Sequence, residues 1–202
     1  MTDPVAEAVA AALAGGLVVL PTDTVYGIGT RPDYPVATAL LFAAKGRPRG
    51  LEIPVLVASA AAARQVAVFD DRADALAGRF WPGALTLVLA RMDLSRDWDL
   101  GGDAATVGVR VPHHPMALAV LAGTGPLAVS SANRSGEPTP VDCAGLERAF
   151  GDAVAVYLCE DSKTGARSTP QPSTVLDLAH GEPRILRIGS VGEAEIRRAL
   201  GG

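Results

Sequence analysis

Residues 17–29, Leu-Val-Val-Leu-Pro-Thr-Asp-Thr-Val-Tyr-Gly-Ile-Gly, constrain this chain more than any other stretch. The run 17–20 is apolar without interruption and half β-branched, the pattern of a strand buried on both faces. Such a strand needs covering layers on each side, which points to an α/β architecture. Pro21 has no N–H for a ladder, so pairing is expected to stop there. Thr22, Asp23, Thr24 and Tyr26 then mass polar groups at the strand's end, where α/β proteins place small-molecule sites. Gly27 and Gly29 read as points where the backbone bends or approaches a ligand. A turn with Asp23 capping its own backbone is the plainer reading of Thr-Asp-Thr alone.

The rest of the chain alternates helical and strand-like segments. Helices are expected over 4–14, 35–45, 60–65, 73–80, 116–121, 143–150 and 193–200, from apolar residues at helical spacing. Asp33 with Pro35 starts the second and Gly46 stops it; Asp70 and Asp71 stand where the cap of the fourth belongs. Strands are expected over 54–58, 85–89, 106–111, 127–129, 154–158, 174–178 and 184–188. Residues 93–103 and 160–172 read as polar loops. Strands are short and several are close enough to pair antiparallel. The expected fold is a single α/β domain over 1–202, a twisted, mostly mixed or antiparallel sheet with flanking helices. No linker, repeat, P-loop or glycine-rich dinucleotide fingerprint interrupts it.

The 202 residues are 49% hydrophobic with a formal charge of −4, which argues against disorder and against a general attraction to nucleic acid or anionic membrane. A local basic patch from Lys45, Arg47, Arg49 and Arg64 stays open. Cys143 and Cys159 lack metal-ligand spacing and read as two reduced thiols. No apolar run approaches a membrane span and the N-terminus shows no targeting pattern, so a soluble cytoplasmic protein is expected.

Four polar segments sit at element ends: 21–29, Lys45-Gly46-Arg47-Pro48-Arg49, 130–136 (Ser-Ser-Ala-Asn-Arg-Ser-Gly), and Ser173-Thr174-Val175. Lysine at a helix end commonly complements the dipole, and Ser/Asn loops commonly cap or turn. A Lys and an Arg two apart, held by Gly and Pro, also make a rigid double cation suited to phosphates. His113 and His114, between Pro112 and Pro115, read as loop or helix-start residues rather than a catalytic pair.

Taken in order, these segments resemble the YrdC/Sua5 family of threonylcarbamoyl-AMP synthases. The resemblance runs through residues 15–27, Lys-Gly-Arg-Pro, Phe-Trp-Pro-Gly-Ala-Leu-Thr-Leu-Val, Thr-Val-Gly-Val-Arg-Val-Pro-His-His-Pro, Ser-Ser-Ala-Asn-Arg-Ser-Gly, Pro-Ser-Thr-Val and Ile-Leu-Arg-Ile-Gly. It implies an open sheet with a concave positive groove. It also implies synthesis of threonylcarbamoyl-adenylate and pyrophosphate from L-threonine, bicarbonate and ATP, with Mg²⁺ accompanying ATP and no metal site in the protein. A downstream tRNA threonylcarbamoyl-transferase machinery would consume the product to make t6A. By the resemblance Lys45, Arg47, Ser131 and Asn133 are catalytic and, with Thr106, Ser173 and Arg187, line the ATP site. Thr24, Arg110 and Ser130 would hold threonine, Arg110 through its carboxylate. Lys45 and Arg47 are expected at the groove rim. The chain departs from the family pattern over 49–54, at Glu160-Asp161-Ser162 and at Ile188. The alternatives are a carbamoyl-adenylate-handling domain of the same type and an RNA-binding module.

Overall fold

In the computed structural model, residues 3–160 and 171–201 are described. Helix α1 (Pro4–Leu13) is capped by Asp3 and leads into β1 (Val18–Leu20). There follow β2 (Gly27–Thr30), α2 (Pro35–Lys45), β3 (Val55–Leu56), α3 (Ala60–Val66) and α4 (Asp71–Phe80). Next come β4 (Leu85–Ala90), β5 (Thr106–Arg110), α5 (Pro115–Thr124) and β6 (Leu127–Ser131). The chain then forms α6 (Cys143–Phe150), β7 (Val156–Tyr157), β8 (Thr174–Asp177), β9 (Arg184–Arg187) and α7 (Glu193–Ala199). Gly46 ends α2 at φ 58°, the left-handed cap that favours glycine. The Asp70 side chain accepts from the Ala73 N–H and starts α4.

The strands form one mixed sheet in the order β7-β1-β2-β6-β3-β5-β4-β8-β9. Pairs β1/β7, β3/β5 and β4/β8 are parallel, and the others antiparallel. Alternation along β1 assigns its faces. Leu17 and Val19 join one buried cluster with residues of α2, α3, α4, α6 and α7, whereas Val18 and Leu20 join another with Ala8, Ala12, Ala117, Val120 and Leu121 of α1 and α5. The first cluster runs beneath the whole sheet, through Leu85, Leu87, Leu89, Val107 and Val109 of β4 and β5. The second stops at Leu56 and Val129. Helices α1 and α5 therefore cover one half of their face and leave the β5-β4-β8 half open.

Strand β2 falls in the stretch read from sequence only as a polar, glycine-bearing turn. Its glycines serve the sheet: a Cβ at Gly27 or Gly29 would lie 2.6 Å from a Val129 methyl on β6. The close approach is to a neighbouring strand, and the glycines at alternate positions mask the β-branched Ile28 and Thr30 beside them.

The two cysteines are not free thiols. Cys143 and Cys159 are bonded, with Cα atoms 5.9 Å apart. Helix α6 carries the chain away from Cys143 and β7 brings it back, a return that spacing alone does not reveal. The bridge closes a loop of 16 residues. Cys143→Ala is expected to lower stability by about 3 kcal/mol on the chain-entropy account of a loop this size. Urea denaturation of wild type and variant checks it, and matching midpoints in non-reducing buffer would contradict it.

Candidate active site

The uncovered half of the sheet is the floor of a cleft of about 790 Å³. Thr86 and Val88 of β4 and Gly108 and Arg110 of β5 face into it, while their neighbours along each strand enter the core below. The 22–27 turn, the 130–141 segment and Ser173 with Arg187 form its walls.

Arg110 ends β5 and is 5% exposed. Its Nε donates to the Gly83 carbonyl at 2.9 Å, Nη1 to Thr24 Oγ1 at 2.9 Å, and Nη2 to Asp23 Oδ1 at 2.5 Å. Burial lowers its pKa and Asp23 opposes that change. Three of five guanidinium N–H groups are thus engaged, leaving one on each terminal nitrogen, the geometry a carboxylate accepts in bidentate fashion. Asp23 also accepts from the His113 N–H at 2.9 Å. Its carboxylate ties the 21–26 turn to the end of β5 and caps nothing of its own. Thr22 Oγ1 lies 3.0 Å from Thr24 Oγ1 and donates to the Val25 carbonyl at 2.6 Å, which holds Thr24 in place.

Lys45 is 2% exposed and does not line the cleft. Its Nζ donates to the Ser131 carbonyl at 2.5 Å and the Asn133 carbonyl at 2.6 Å, and its own carbonyl accepts from the Ser135 N–H. Burial, then repulsion from Arg47, pushes its pKa down to about 8. The expectation of a rim lysine is corrected: this ammonium braces the Ser-Ser-Ala-Asn loop from behind. Arg47 does line the cleft. It donates to the carbonyls of Leu51 and Glu52, leaving further N–H groups for a ligand.

Across the cleft, Arg187 donates to the Ser173 carbonyl and to Ser173 Oγ at 3.1 Å, and that hydroxyl lies 2.9 Å from Thr86 Oγ1. Arg47 is lowered by burial and next by the charge of Arg187; burial lowers Arg187 as well. Two desolvated guanidiniums that repel one another are relieved by an anion between them. Ser130, Ser131 and Asn133 line the opposite wall. The Asn133 amide donates to the Arg134 and Glu137 carbonyls, so it shapes its own loop.

Thr106 stands apart. It opens β5 opposite Ala90, two residues before Gly108, and does not line the cleft. Its hydroxyl donates to Asp103 at 3.4 Å. His114 caps α5 as a helix-start residue, with Nε2 2.8 Å from Glu160. The four cations of the conjectured basic patch do not pool: Arg49 pairs with Asp99 and Arg64 with Asp74. Of the 160–172 loop, residues 161–170 lie outside the described structure.

Glu52 is the residue sequence reasoning passed over. It lies on the cleft floor before β3, its Oε1 accepting from the Gly108 N–H at 2.9 Å. Burial pushes its pKa up to about 7, against smaller opposing contributions led by that hydrogen bond. The folded chain therefore holds this proton over a range, from about 4.5 to about 7, in which the unfolded chain has released it. Native protein then binds more protons, so Glu52's contribution to stability falls as pH rises through that window. Wild type is expected to lose more thermal stability than Glu52→Gln between those limits. Parallel melting profiles would contradict it.

Fold and site define a class: mixed-sheet α/β proteins with a polar, arginine-lined cleft on the uncovered half of one face. The comparisons narrow it. A sequence model of the Sua5/YciO/YrdC family, described as "Telomere recombination", matches residues 10–189, and the chain belongs to that family. It is 45% identical over 198 residues to a Mycobacterium leprae protein provisionally named threonylcarbamoyl-AMP synthase, covering 98% of this chain and 88% of that one. It is 36% identical to the threonylcarbamoyl-AMP synthase of Chromohalobacter salexigens, covering 89% of this chain and 95% of the relative. The crystal structure of Pyrococcus abyssi Sua5 complexed with L-threonine superposes with a TM-score of 0.85 at 31% identity, over 100% of this chain and 59% of that one.

Proposed function

We propose that the chain is an L-threonylcarbamoyladenylate synthase, a nucleotidyltransferase that joins L-threonine, bicarbonate and ATP. The observation that carries this is the division of labour within one cleft. Arg110, buried and pre-oriented by Asp23 and Thr24, keeps a pair of N–H groups for a carboxylate, while Arg47 and Arg187 converge for phosphates. That a relative's structure carries L-threonine supports the choice of amino acid.

The chemistry asks for little more. Threonine's amine takes up carbon dioxide to give a carbamate, whose oxygen attacks the α-phosphorus of ATP as the bond to the β-phosphate breaks. Two anions must meet and charge grows on the phosphate oxygens, so preorganised cations and donors supply the stabilisation without a protein nucleophile. Arg47, Arg187 and Ser173 serve the phosphates; Ser130, Ser131, Asn133 and Thr24 complete the walls. Lys45 acts through the loop it holds, and Thr106 shapes the entry to β5. Mg²⁺ is taken to arrive with ATP. Among the described residues no three His, Cys, Asp or Glu side chains gather to hold an ion.

The product is an activated carbamoyl-adenylate, to be consumed by a transferase acting on tRNA in the t6A pathway; in this reading one domain over 1–202 carries out the reaction in the cytoplasm. No helix among the described residues is long and apolar enough to cross a membrane. The RNA-binding reading is weaker: Tyr26 is the one aromatic among the described residues lining the cleft, too few for a base-stacking surface. Mass spectrometry of reactions containing ATP, bicarbonate and isotopically labelled L-threonine tests the proposal. A threonylcarbamoyl-adenylate carrying the label is expected, and AMP alone would contradict it.

A further inference from the structure

We propose that Glu52 holds the ammonium group of the amino-acid substrate and accepts its proton; this rests on the synthase reading above. Gly108 and Arg110 lie two residues apart on the same face of β5, about 7 Å along the strand. The Glu52 carboxylate is fixed against the Gly108 N–H. An α-amino acid carries carboxylate and ammonium on one carbon. In this proposal the amino acid sets its carboxylate on the two remaining N–H groups of Arg110 and turns its ammonium back along the strand toward Gly108 and the carboxylate docked there. Among the described residues lining the cleft, Glu52 and Glu137 are the carboxylates. Glu137 sits on the exposed 133–141 segment, held through its backbone by Asn133, whereas Glu52 lies on the floor. Only Oε1 of Glu52 has a hydrogen-bond partner among the described residues, which leaves Oε2 for a ligand.

The surrounding charges suit a proton acceptor. Arg47 from the turn after α2 and Arg91 after β4 favour the ionised form, and Asp103 before β5 opposes it. With burial, these place the group near neutrality, where an acceptor both takes and returns a proton readily. In the step, an N–H bond of the ammonium breaks and an O–H bond forms on Glu52. The freed lone pair attacks carbon dioxide, a second N–H proton passes to water, and Glu52 returns its own proton to water. From bicarbonate the net change is one carbamate, one water and one released proton.

Glu52→Gln separates this from a structural role, because the carboxamide oxygen still accepts from Gly108. Calorimetry would compare L-threonine with 2,3-dihydroxybutanoate, which has a hydroxyl in place of the amine. Wild type is expected to prefer threonine at least roughly tenfold and Glu52→Gln to bind the two alike. The variant's kcat/KM for threonine should fall roughly a hundredfold and lose the acidic limb near neutrality, while Glu52→Asp keeps that limb. A Glu52→Gln enzyme that retains both the preference and the limb overturns the assignment of Glu52 and leaves the synthase reading standing. Wild type that releases no pyrophosphate overturns both.

Discussion

Arg110→Ala is expected to raise the KM for L-threonine and lower kcat/KM roughly a hundred- to a thousandfold. Among the described residues the side chain is the best-buried cation lining the cleft, and its removal does two things. It deletes the paired N–H groups assigned to the substrate carboxylate. It also strands Asp23, whose side chain is 16% exposed and paired with Arg110 at 2.5 Å. Breaking such a buried pair costs about 3–5 kcal/mol, so the variant should also unfold at lower urea. Asp23→Asn tells the two effects apart, since it keeps the guanidinium and loses the orienting charge. It is expected to raise KM by less than Arg110→Ala does. Threonine kinetics unchanged in Arg110→Ala would remove this residue from the site.

Lys45→Met is expected to destabilise the fold by about 3–5 kcal/mol, with activity falling alongside. Methionine fills much of the same volume but leaves the carbonyls of Ser131 and Asn133 without the donor that reaches them at 2.5 and 2.6 Å. Hydrogen bonds to a charged group contribute about 1.5–3 kcal/mol each. The loop they hold carries Ser131 and Asn133 into the cleft, so loosening it should lower kcat even where the protein stays folded. Urea denaturation with linear extrapolation measures the stability change. A variant as stable as wild type, yet inactive, would return Lys45 to a direct phosphate role.

The contrast between Lys45 and Arg47 shows where sequence reasoning stops. Lys-Gly-Arg-Pro places two cations at a helix end, and no spacing rule says that one points inward to carbonyls 86 and 88 residues away while the other lines the cleft. The helices α2 and α4 were legible because start signals and apolar spacing agree locally at Pro35 and Asp70, and α6 was read as a helix without notice of Asp142, which caps it. Strand β1 was legible as a strand buried on both faces, and the structure divides its residues between two clusters accordingly. Strand β2 was not, because glycine carries no strand signal and its reason for being there is Val129 on another strand. Asp23 was visible as a polar residue at a strand end, but its partner Arg110 lies 87 positions on. Glu52 drew no notice because the chain departs from the resembled pattern there, and only the floor of the cleft gives that carboxylate a setting. The cysteine pair failed for the same non-local reason.

Pyrophosphate release under omission of each substrate tests the central claim most directly. Purified protein would be given ATP with L-threonine and bicarbonate, then with either withheld in carbonate-depleted buffer. Pyrophosphate should accumulate with all three present and fall to background when threonine or bicarbonate is left out. Equal release without threonine would contradict the account, because a cleft that spends ATP regardless of the amino acid has no use for the carboxylate site at Arg110.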